Sequence, residues 1–301
     1  MSKLFKQKLA GFTIIEMVVT IVISSILAVG IVSFIGDSVD SLTTTTNRNK
    51  IAASGRIALD RLASELQNAL PNSIRVTTAD PVTGDQCLEF IPVRASSTYI
   101  NPPFSSAATT FDVIEVTSEH GVTGGYAVIY PQTQNRVYDG DNGASTLWPN
   151  FPANRGPIQA IASIAASASP DQSTVTLTKS HRFRRRSSNE RFFIVKDPVS
   201  FCVVGQNLYR YANYGFYVSQ VTAEEESGVC EFVSNQRCLP NYAAAPNKML
   251  ITNDLDNAGM TAFAVSAQTL VRNSLVSIQF NFTANNDSVV LNHEVLARSV
   301  P

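Results

Sequence analysis

An apolar run close to the N-terminus constrains the fold of this chain more than any other part of its sequence. Between Phe12 and Ile35 the only charged residue is Glu16, and three lysines precede the run. About 20 apolar residues in a helix cross the hydrocarbon core of a bilayer, so this run is long enough to span a membrane. Basic residues ahead of the run favour a cytoplasmic N-terminus and export of the rest of the chain.

Glu16 is the anomaly within this run. An ionised carboxylate at membrane depth costs at least about 2.5 kcal/mol on insertion scales, so such residues are usually paired and usually functional. We therefore expect Glu16 to have a partner that neutralises its charge.

The residues around the start of the run form a recognisable pattern. Gly11, Phe12 and Thr13 follow the basic segment, and Glu16 comes after two isoleucines. This pattern resembles the leader of type IV prepilins. The resemblance implies that a membrane enzyme, the prepilin peptidase, cleaves between Gly11 and Phe12 and methylates the new N-terminus at Phe12. It also implies a partner for Glu16, the α-amino group of Phe12 in the same or a neighbouring subunit, because charges that neutralise one another can remain in an apolar filament core.

Two other interpretations of the run compete with this one. A secretory signal peptide would be cleaved beyond the apolar region, where Ala28-Val29-Gly30 supplies small residues. A glutamate inside such a region is unusual, however, and the run continues to Ile35. The second alternative is a plain membrane anchor in which Glu16 is accidental. The prepilin interpretation implies a single-pass inner-membrane protein with a periplasmic C-terminal domain that later enters a pilus or pseudopilus.

The charge composition limits the kinds of molecule that the chain is expected to bind. Charged residues make up 16% of the chain and the formal net charge is −1, whereas soluble domains are usually about a quarter charged. Since the lysines of the leader contribute to that sum, the remainder is more acidic. This balance argues against a dedicated nucleic-acid binder.

All the cysteines lie in the exported part, where disulfides persist. Four cysteines allow three connectivities. Cys230 and Cys238 enclose a short polar loop and are expected to pair locally, which leaves Cys87 to pair with Cys202. A zinc site is the alternative, but the spacing of cysteines and histidines does not suit one, and we predict no metal and no cofactor.

Helical spacing of apolar residues resumes after a polar stretch. These residues are Ile51, Ala58, Leu62, Leu66, Ala69 and Leu70, and Pro71 follows them. The pattern predicts one helix from Phe12 to Leu70, buried in the membrane in its first half and amphipathic in its second. The β-branched threonines predict a weak point at Thr43–Asn47.

Beyond Pro71 the pattern changes to short β-branched and aromatic runs separated by turn residues, which indicates strands. The predicted strands are Cys87–Val93, Phe111–Val116, Tyr126–Tyr130, Thr174–Thr178, Phe192–Val195, Val199–Val204, Asn207–Tyr211, Phe216–Val221, Leu275–Phe282 and Val289–Leu296. The last two are predicted to form a terminal hairpin. Ala160–Ser173 is rich in small residues and is predicted to be a loop or an edge.

These patterns predict an α+β fold, in which a long N-terminal helix packs on an antiparallel β-sheet domain through its amphipathic half. The predicted organisation is a leader at 1–11, a membrane helix at 12–35, an amphipathic helix half at 36–70 and a β-rich globular domain at 71–301.

The resemblance extends to both ends of the chain. The segment from Arg56 to Pro71 resembles the first helix of the larger minor pilins, the MSHA type among them, and of the J-type pseudopilins of type II secretion. The terminal hairpin is also similar to theirs. The resemblance implies three kinds of partner: the prepilin peptidase, the inner membrane, and other minor pilins and the major pilin, contacted through N-terminal helices. Many major pilins have Gly and Pro in the first helix, whereas this chain has Ser25 and Ser33.

No catalytic motif accompanies these features. The three histidines are scattered, and we predict no enzymatic activity and no catalytic residue. Two segments, Asp139–Gly143 and Asn253–Asn257, imitate the start of a calcium loop but lack its downstream glutamate, and are interpreted as turns. The aromatic residues Tyr209, Tyr211, Tyr214, Phe216 and Tyr217 are interpreted as cross-strand pairs rather than a sugar-binding face.

One charge cluster is a candidate docking or ligand patch. It consists of Arg182, Arg184, Arg185 and Arg186. His181 and Phe183 alternate with these arginines, so the cluster has the charge and aromatic rings to bind phosphate or single-stranded nucleic acid. The favoured interpretation is either a solvated hairpin or docking onto an acidic surface of a neighbouring pilin, such as Glu224-Glu225-Glu226, and nucleic acid is disfavoured.

The sequence thus predicts a non-enzymatic minor pilin that initiates or caps a filament. A pseudopilin of type II secretion is one alternative, and a tip adhesin that binds a glycan or DNA is another.

Overall fold

The computed structural model describes residues 13–138, 155–217, 220, 248–266, 274–284 and 287–297. The chain forms two compact units, Met1–Lys50 and Ile51–Pro301. The first helix, α1, extends over Ile14–Gln67 and therefore belongs to both units. A long N-terminal helix followed by antiparallel sheets confirms the predicted α+β class.

The helix is continuous through Thr43–Asn47, where we expected a weak point. The threonine hydroxyls turn back onto carbonyl groups of the preceding turn: Thr43 donates to Asp40 at 2.9 Å and Thr46 donates to Leu42 at 2.7 Å. A threonine that bonds in this way satisfies its hydroxyl without leaving the helix.

The helix ends where its hydrogen bonding tightens. Ala69 donates its backbone N–H to the Leu66 carbonyl three residues back, and Leu70 N–H then bonds to the Ile91 carbonyl at 2.7 Å. Pro71 follows and cannot continue a helix. The predicted helix end at Leu70 was three residues too late, because the chain leaves the helix to run beside the segment around Ile91.

The remaining elements among the described residues are strands, one short α-helix and one 3-10 turn at Thr117–Glu119. Among the described residues the strands are β1 Arg75–Val76, β2 Gln86–Phe90, β3 Val93–Thr98, β4 Ala108–Ile114, β5 Tyr126–Val128, β6 Arg155–Gly156, β7 Ile158–Ala166, β8 Gln172–Phe183, β9 Arg191–Val195, β10 Val199–Val204, β11 Asn207–Tyr211, β12 Lys248–Thr252, β13 Phe263–Val265, β14 Ser274–Ala284 and β15 Asp287–Ala297. The second helix, α2, is Gln134–Tyr138.

Two antiparallel sheets cover the amphipathic part of α1. The first has the order β1-β2-β10-β11-β12 and the second the order β13-β14-β15. The strands β14 and β15 pair from Ser274–Ala297 to Ala284–Asp287, which confirms the terminal hairpin.

The main core forms between α1 and these two sheets. Leu62 and Leu66 of α1 are completely buried, and they share this core with Phe201 of the first sheet and Phe280 of the second. Burial of one Leu or Phe side chain contributes about 1.5–3 kcal/mol to stability. The apolar face of α1 therefore accounts for much of the free energy that holds this part of the helix against the two sheets.

A third sheet is inserted between β2 and β10, two strands that are neighbours in the first sheet. Its order is β3-β9-β5-β7-β8-β4, with β6 pairing in parallel with β8. The end strands approach one another at the Tyr99–Val113 bridge, and Ile100 N–H donates to the Asp112 carbonyl at 2.9 Å. The sheet therefore closes on itself, and we call it the inserted barrel (described residues of 93–195).

Three strand predictions were wrong. Ala160–Ser173 is not a loop or edge, because β7 lies inside the barrel sheet between β5 and β8. Cys87–Val93 is not one strand, since Ile91 and Pro92 separate β2 from β3. The described residues of Phe216–Val221 are not in a strand. They follow Gly215, whose φ of 80° turns the chain away from extended geometry.

Candidate functional site

The N-terminal end of α1 is organised by Thr13. Its hydroxyl accepts the backbone N–H of Glu16 at 3.3 Å, and it lies 3.5 Å from a carboxylate oxygen of Glu16. This Thr-x-x-Glu arrangement supplies the first half of a capping box, in which the threonine oxygen satisfies a backbone N–H of the first helical turn. The cap fixes where the helix begins and holds the Glu16 carboxylate near that end. The predicted cleavage residues Gly11 and Phe12 lie outside the described residues.

The side chains that follow Glu16 form a continuous apolar surface. Ile14, Val18 and Phe34 are among many large apolar residues of this unit that are more than half exposed. Hydroxyl groups within it are satisfied inside the helix, since Thr20 donates to the Met17 carbonyl and Ser25 to the Ile21 carbonyl. An apolar surface of this size marks a membrane or protein contact. This helix is long and apolar enough to cross a membrane.

The predicted disulfide between Cys87 and Cys202 is present. The two residues face one another across β2 and β10, with 4.1 Å between their Cα atoms. The bond therefore ties together the two strands between which the barrel is inserted. Cys230 and Cys238, predicted to pair with each other, lie outside the described residues.

A buried ionic network beside this disulfide was not predicted from the sequence. Arg75 donates its Nε–H to Glu89 at 2.7 Å, and both side chains are buried. Tyr214 donates its hydroxyl to the other Glu89 oxygen at 2.9 Å. The Arg75 guanidinium stacks 3.5 Å from the centre of the Tyr138 ring. Glu89 within an apolar β run was a signal that a partner exists, but sequence spacing does not identify Arg75.

Burial governs the ionisation of this network. It raises the pKa of Glu89, although the nearby Arg75 charge acts in the opposite direction. It also raises the pKa of Tyr214 and of Tyr138 well above the ordinary tyrosine value, with the Glu89 charge adding to the effect. The tyrosines therefore stay protonated as hydrogen-bond donors. Because the network is enclosed in the sheet and bonded internally, we assign it a structural role.

The predicted arginine patch lies at the end of β8 and in the loop after it. Arg182 is in β8, whereas the other three arginines follow Phe183, the last residue of that strand. His181 and Phe183 are buried, so they cannot stack on nucleic-acid bases as their interleaving with arginines suggested. Arg186 is exposed and lies over the Phe104 ring at 5.0 Å.

Arginines from distant parts of the chain join this patch. Arg184 and Arg185 line a pocket together with Arg136 of α2. Partial burial lowers the pKa of Arg184, and the positive charges of Arg136, Arg155 and Arg185 lower it further. Sequence separation concealed this convergence, because only the run after β8 is contiguous.

The other candidate residues have structural roles. His120 bonds to Ser173 at 2.8 Å, and His181 bonds to the Gly156 carbonyl at 3.1 Å. In the calcium-like segment Asn253–Asn257, the Asn257 side chain bonds to Gln279 and Asn281 of β14, as expected of a turn residue. The segment Asp139–Gly143 and the acidic run Glu224-Glu225-Glu226 lie outside the described residues.

The tyrosine-rich segment divides into two parts. Tyr209 and Tyr211 are neighbours on β11, with Lys248 of the adjacent strand 4.1 Å from the Tyr209 ring centre. Tyr214 and Phe216 are buried. These aromatic residues are therefore not paired with one another across strands as interpreted: Tyr209 and Tyr211 share one strand, and Tyr214 and Phe216 pack in the interior after it.

Comparison with known proteins finds a family match in the N-terminal region. Residues 6–32 match the family model of the prokaryotic N-terminal methylation motif. No curated protein and no solved structure matches the chain. The matched residues cover Gly11, Phe12 and Glu16 and the start of the exposed apolar helix, and the motif supports a type IV pilin-like protein or pseudopilin.

Proposed function

We propose that this chain is a non-enzymatic minor pilin of an MSHA-like type IV pilus, of the kind called minor pilin O. In this proposal it inserts in the inner membrane, is cleaved by the prepilin peptidase between Gly11 and Phe12, and initiates or caps the filament. The observation that carries the proposal is the methylation motif at residues 6–32, which continues directly into a helix with an exposed apolar surface.

Processing has a direct chemical readout. The mature protein is expected to begin with Phe12 carrying one methyl group on its α-nitrogen. Mass spectrometry of the protein purified from membranes tests this, with a strain that lacks the prepilin peptidase as the control. A natural N-terminus at any other residue would overturn the proposal.

Glu16 is proposed to set the position of the subunit in the filament. Its carboxylate lies among apolar side chains, where an unpaired charge is costly, and the α-amino group of a neighbouring Phe12 neutralises it. The contact with the Thr13 hydroxyl is neutral and does not supply this charge.

Replacement of Glu16 therefore separates assembly from insertion. Glu16→Ala and Glu16→Gln are expected to leave the protein in the membrane but to reduce its incorporation into sheared filaments at least about tenfold, the factor for about 1.4 kcal/mol. Quantitative immunoblots of membrane and filament fractions measure both quantities. Asp37→Asn is the matched control, because it also removes a carboxylate from an exposed position of α1. Normal incorporation of the Glu16 variants would remove this residue from the mechanism.

The alternative function is a J-type pseudopilin of a type II secretion system. Both functions require the same helix, so the test is the phenotype of a deletion strain. The proposal predicts loss of surface pili with normal secretion of exoproteins, whereas a pseudopilin predicts the reverse. Periplasmic crosslinking followed by co-purification identifies the neighbours: other minor pilins are expected.

A further inference from the structure

The inserted barrel carries a pocket that the filament role does not use. It lies where β5 ends and β7 begins. Ile129 and Pro157 give it an apolar part, Tyr130 and Gln132 add polar groups, and Arg136, Arg184 and Arg185 supply positive charge. The enclosed space is only about 10 Å³, roughly that of one water molecule. The pocket is therefore a shallow recess, and a ligand group would lie at its mouth against the arginine side chains.

The arrangement concentrates like charges at a cost to the fold. Arg136 comes from α2 and Arg184 and Arg185 from the loop after β8, and Arg155 of β6 adds its charge to the same group. Among the described residues, no acidic side chain forms an ion pair with Arg155, Arg182 or Arg185, and the buried Nε atoms of Arg155 and Arg182 have no hydrogen-bond acceptor. Buried donors are normally satisfied, so these two atoms are exceptions beside the arginine cluster, although neither residue lines the pocket itself.

The wall of the pocket also contains a strained residue. Tyr130 has a φ of 52°, a left-handed conformation that is an outlier for a bulky side chain. Such strain occurs preferentially at ligand sites, where the surrounding structure maintains it. Here the Ile129 N–H bonds to the Pro157 carbonyl at 2.9 Å and anchors the segment just before Tyr130.

We propose that this pocket binds a phosphate or sulfate group, held by the guanidinium groups of Arg136, Arg184 and Arg185. Three arginines around a small space favour a doubly charged oxyanion over a single carboxylate, because a carboxylate offers two oxygens and one charge, whereas phosphate or sulfate offers more acceptor oxygens and two charges to the guanidinium groups. A nucleic-acid strand is disfavoured, because the adjacent His181 and Phe183 are buried and offer no stacking platform.

Calorimetric titration of the full-length protein in a non-ionic detergent tests the proposal. The ligands are inorganic phosphate, sulfate and glucose 6-phosphate, with acetate as the singly charged control at equal ionic strength. Phosphate and sulfate are expected to bind at least about tenfold more tightly than acetate. If glucose 6-phosphate binds more tightly than inorganic phosphate, the ligand is a phosphate ester. If inorganic phosphate binds more tightly, the ligand is the free ion. Equal binding of acetate, or no binding, overturns the proposal.

Arg185 supplies the variant, because its side chain is exposed and its replacement does not disturb the core. Arg185→Ala is expected to weaken phosphate binding about tenfold, and Arg185→Lys is expected to weaken it as well, since lysine keeps the charge but loses the fork. Arg56→Ala removes an equally exposed arginine from α1 and is expected to bind as the wild type does. Circular dichroism confirms that each variant is folded.

Two results with these variants contradict the proposal. One is unchanged phosphate affinity of Arg185→Ala. The other is a single-stranded oligonucleotide that binds through Arg185 with an affinity that rises with its length, which would indicate a backbone-tracking surface rather than a pocket for one group. Neither result bears on filament membership, which the N-terminal processing experiment decides separately.

Discussion

At the scale of single residues, the Arg75–Glu89 pair illustrates how the sheet domain tolerates charge in its interior. Arg75 is 8% exposed and Glu89 is fully buried, and two tyrosines complete their surroundings. Removal of one partner of a buried pair leaves an uncompensated charge, which typically costs 3–5 kcal/mol. Sequence inspection identified neither partner, because a charged residue in a strand is normally assigned to the solvent face.

Arg75→Met keeps an unbranched side chain but removes the guanidinium, and with it both the charge beside Glu89 and the stacking contact with the Tyr138 ring. We expect it to lower the free energy of unfolding by about 3 kcal/mol at neutral pH. The pKa of Glu89, already raised by burial, rises further in this variant. A raised pKa in the folded state means that ionisation opposes folding, so the deficit is small near the ordinary glutamate pKa of about 4.3 and grows as the pH increases.

Urea unfolding at pH 5 and pH 8 measures this dependence. The double variant Arg75→Met/Glu89→Gln removes the remaining buried charge and is expected to recover much of the loss at pH 8. A deficit that is independent of pH, or a double variant no better than the single one, would show that the Arg75 charge does not stabilise Glu89.

At the scale of elements, Gly55 shows how closely α1 and the terminal hairpin pack. A Cβ atom at this position would lie 2.5 Å from Leu291 Cδ1 and 2.6 Å from Phe282 Cε2. In an exposed helix, Gly→Ala stabilises by up to about 1 kcal/mol. Here overpacking, which typically costs 1–3 kcal/mol, opposes that gain. We expect Gly55→Ala to lower the thermal midpoint measured by circular dichroism.

Gly36 of the same helix provides the matched control. A Cβ atom there meets nothing within 4 Å, so Gly36→Ala is expected to leave the midpoint unchanged or to raise it. A Gly55→Ala variant that behaves like Gly36→Ala would mean that the hairpin moves away from the helix without loss.

The elements that were predicted correctly are either compact β-branched and aromatic runs or strands with regular alternation. Val199–Val204 and Asn207–Tyr211 match β10 and β11 residue for residue, and the two strands of the terminal hairpin alternate over their whole length. In β7 a shift of register between Ile161 and Ser163 places Ile161 and Ile164 on the same face. This bulge conceals the alternation, and with many small residues the segment was mistaken for a loop.

At the candidate sites, residues that are neighbours in the sequence could be predicted, whereas residues that the fold brings together from distant parts of the chain could not. The methylation motif and the arginine run are contiguous in the sequence. The pocket also needs Arg136 of α2, and Arg155 of β6 adds its charge near Arg184. The Glu89 network likewise needs residues from β1, β2 and the segment after β11. Such contacts depend on strand order, which local patterns do not encode.

At the scale of the whole globular unit, the disulfide holds the root of the barrel insertion. Cys87 and Cys202 are separated by 115 residues, and the intervening chain contains the inserted barrel. Closing a loop of that length restricts the unfolded chain by about 4–5 kcal/mol in the chain-entropy model. Cys87→Ala/Cys202→Ala is therefore expected to lower the free energy of unfolding by several kcal/mol, measured by urea titration under oxidising conditions.

The other two cysteines supply the comparison, since the chain-entropy model relates the stabilisation to loop length. The predicted Cys230–Cys238 loop is far shorter, so Cys230→Ala/Cys238→Ala is expected to cost roughly 2 kcal/mol less than the loss of Cys87–Cys202. Addition of a reductant lowers the stability of the wild type to that of the variant that lacks both pairs. Equal losses from the two double variants would mean that the Cys87–Cys202 bond contributes no more than a short-loop disulfide, and would contradict the argument from loop length.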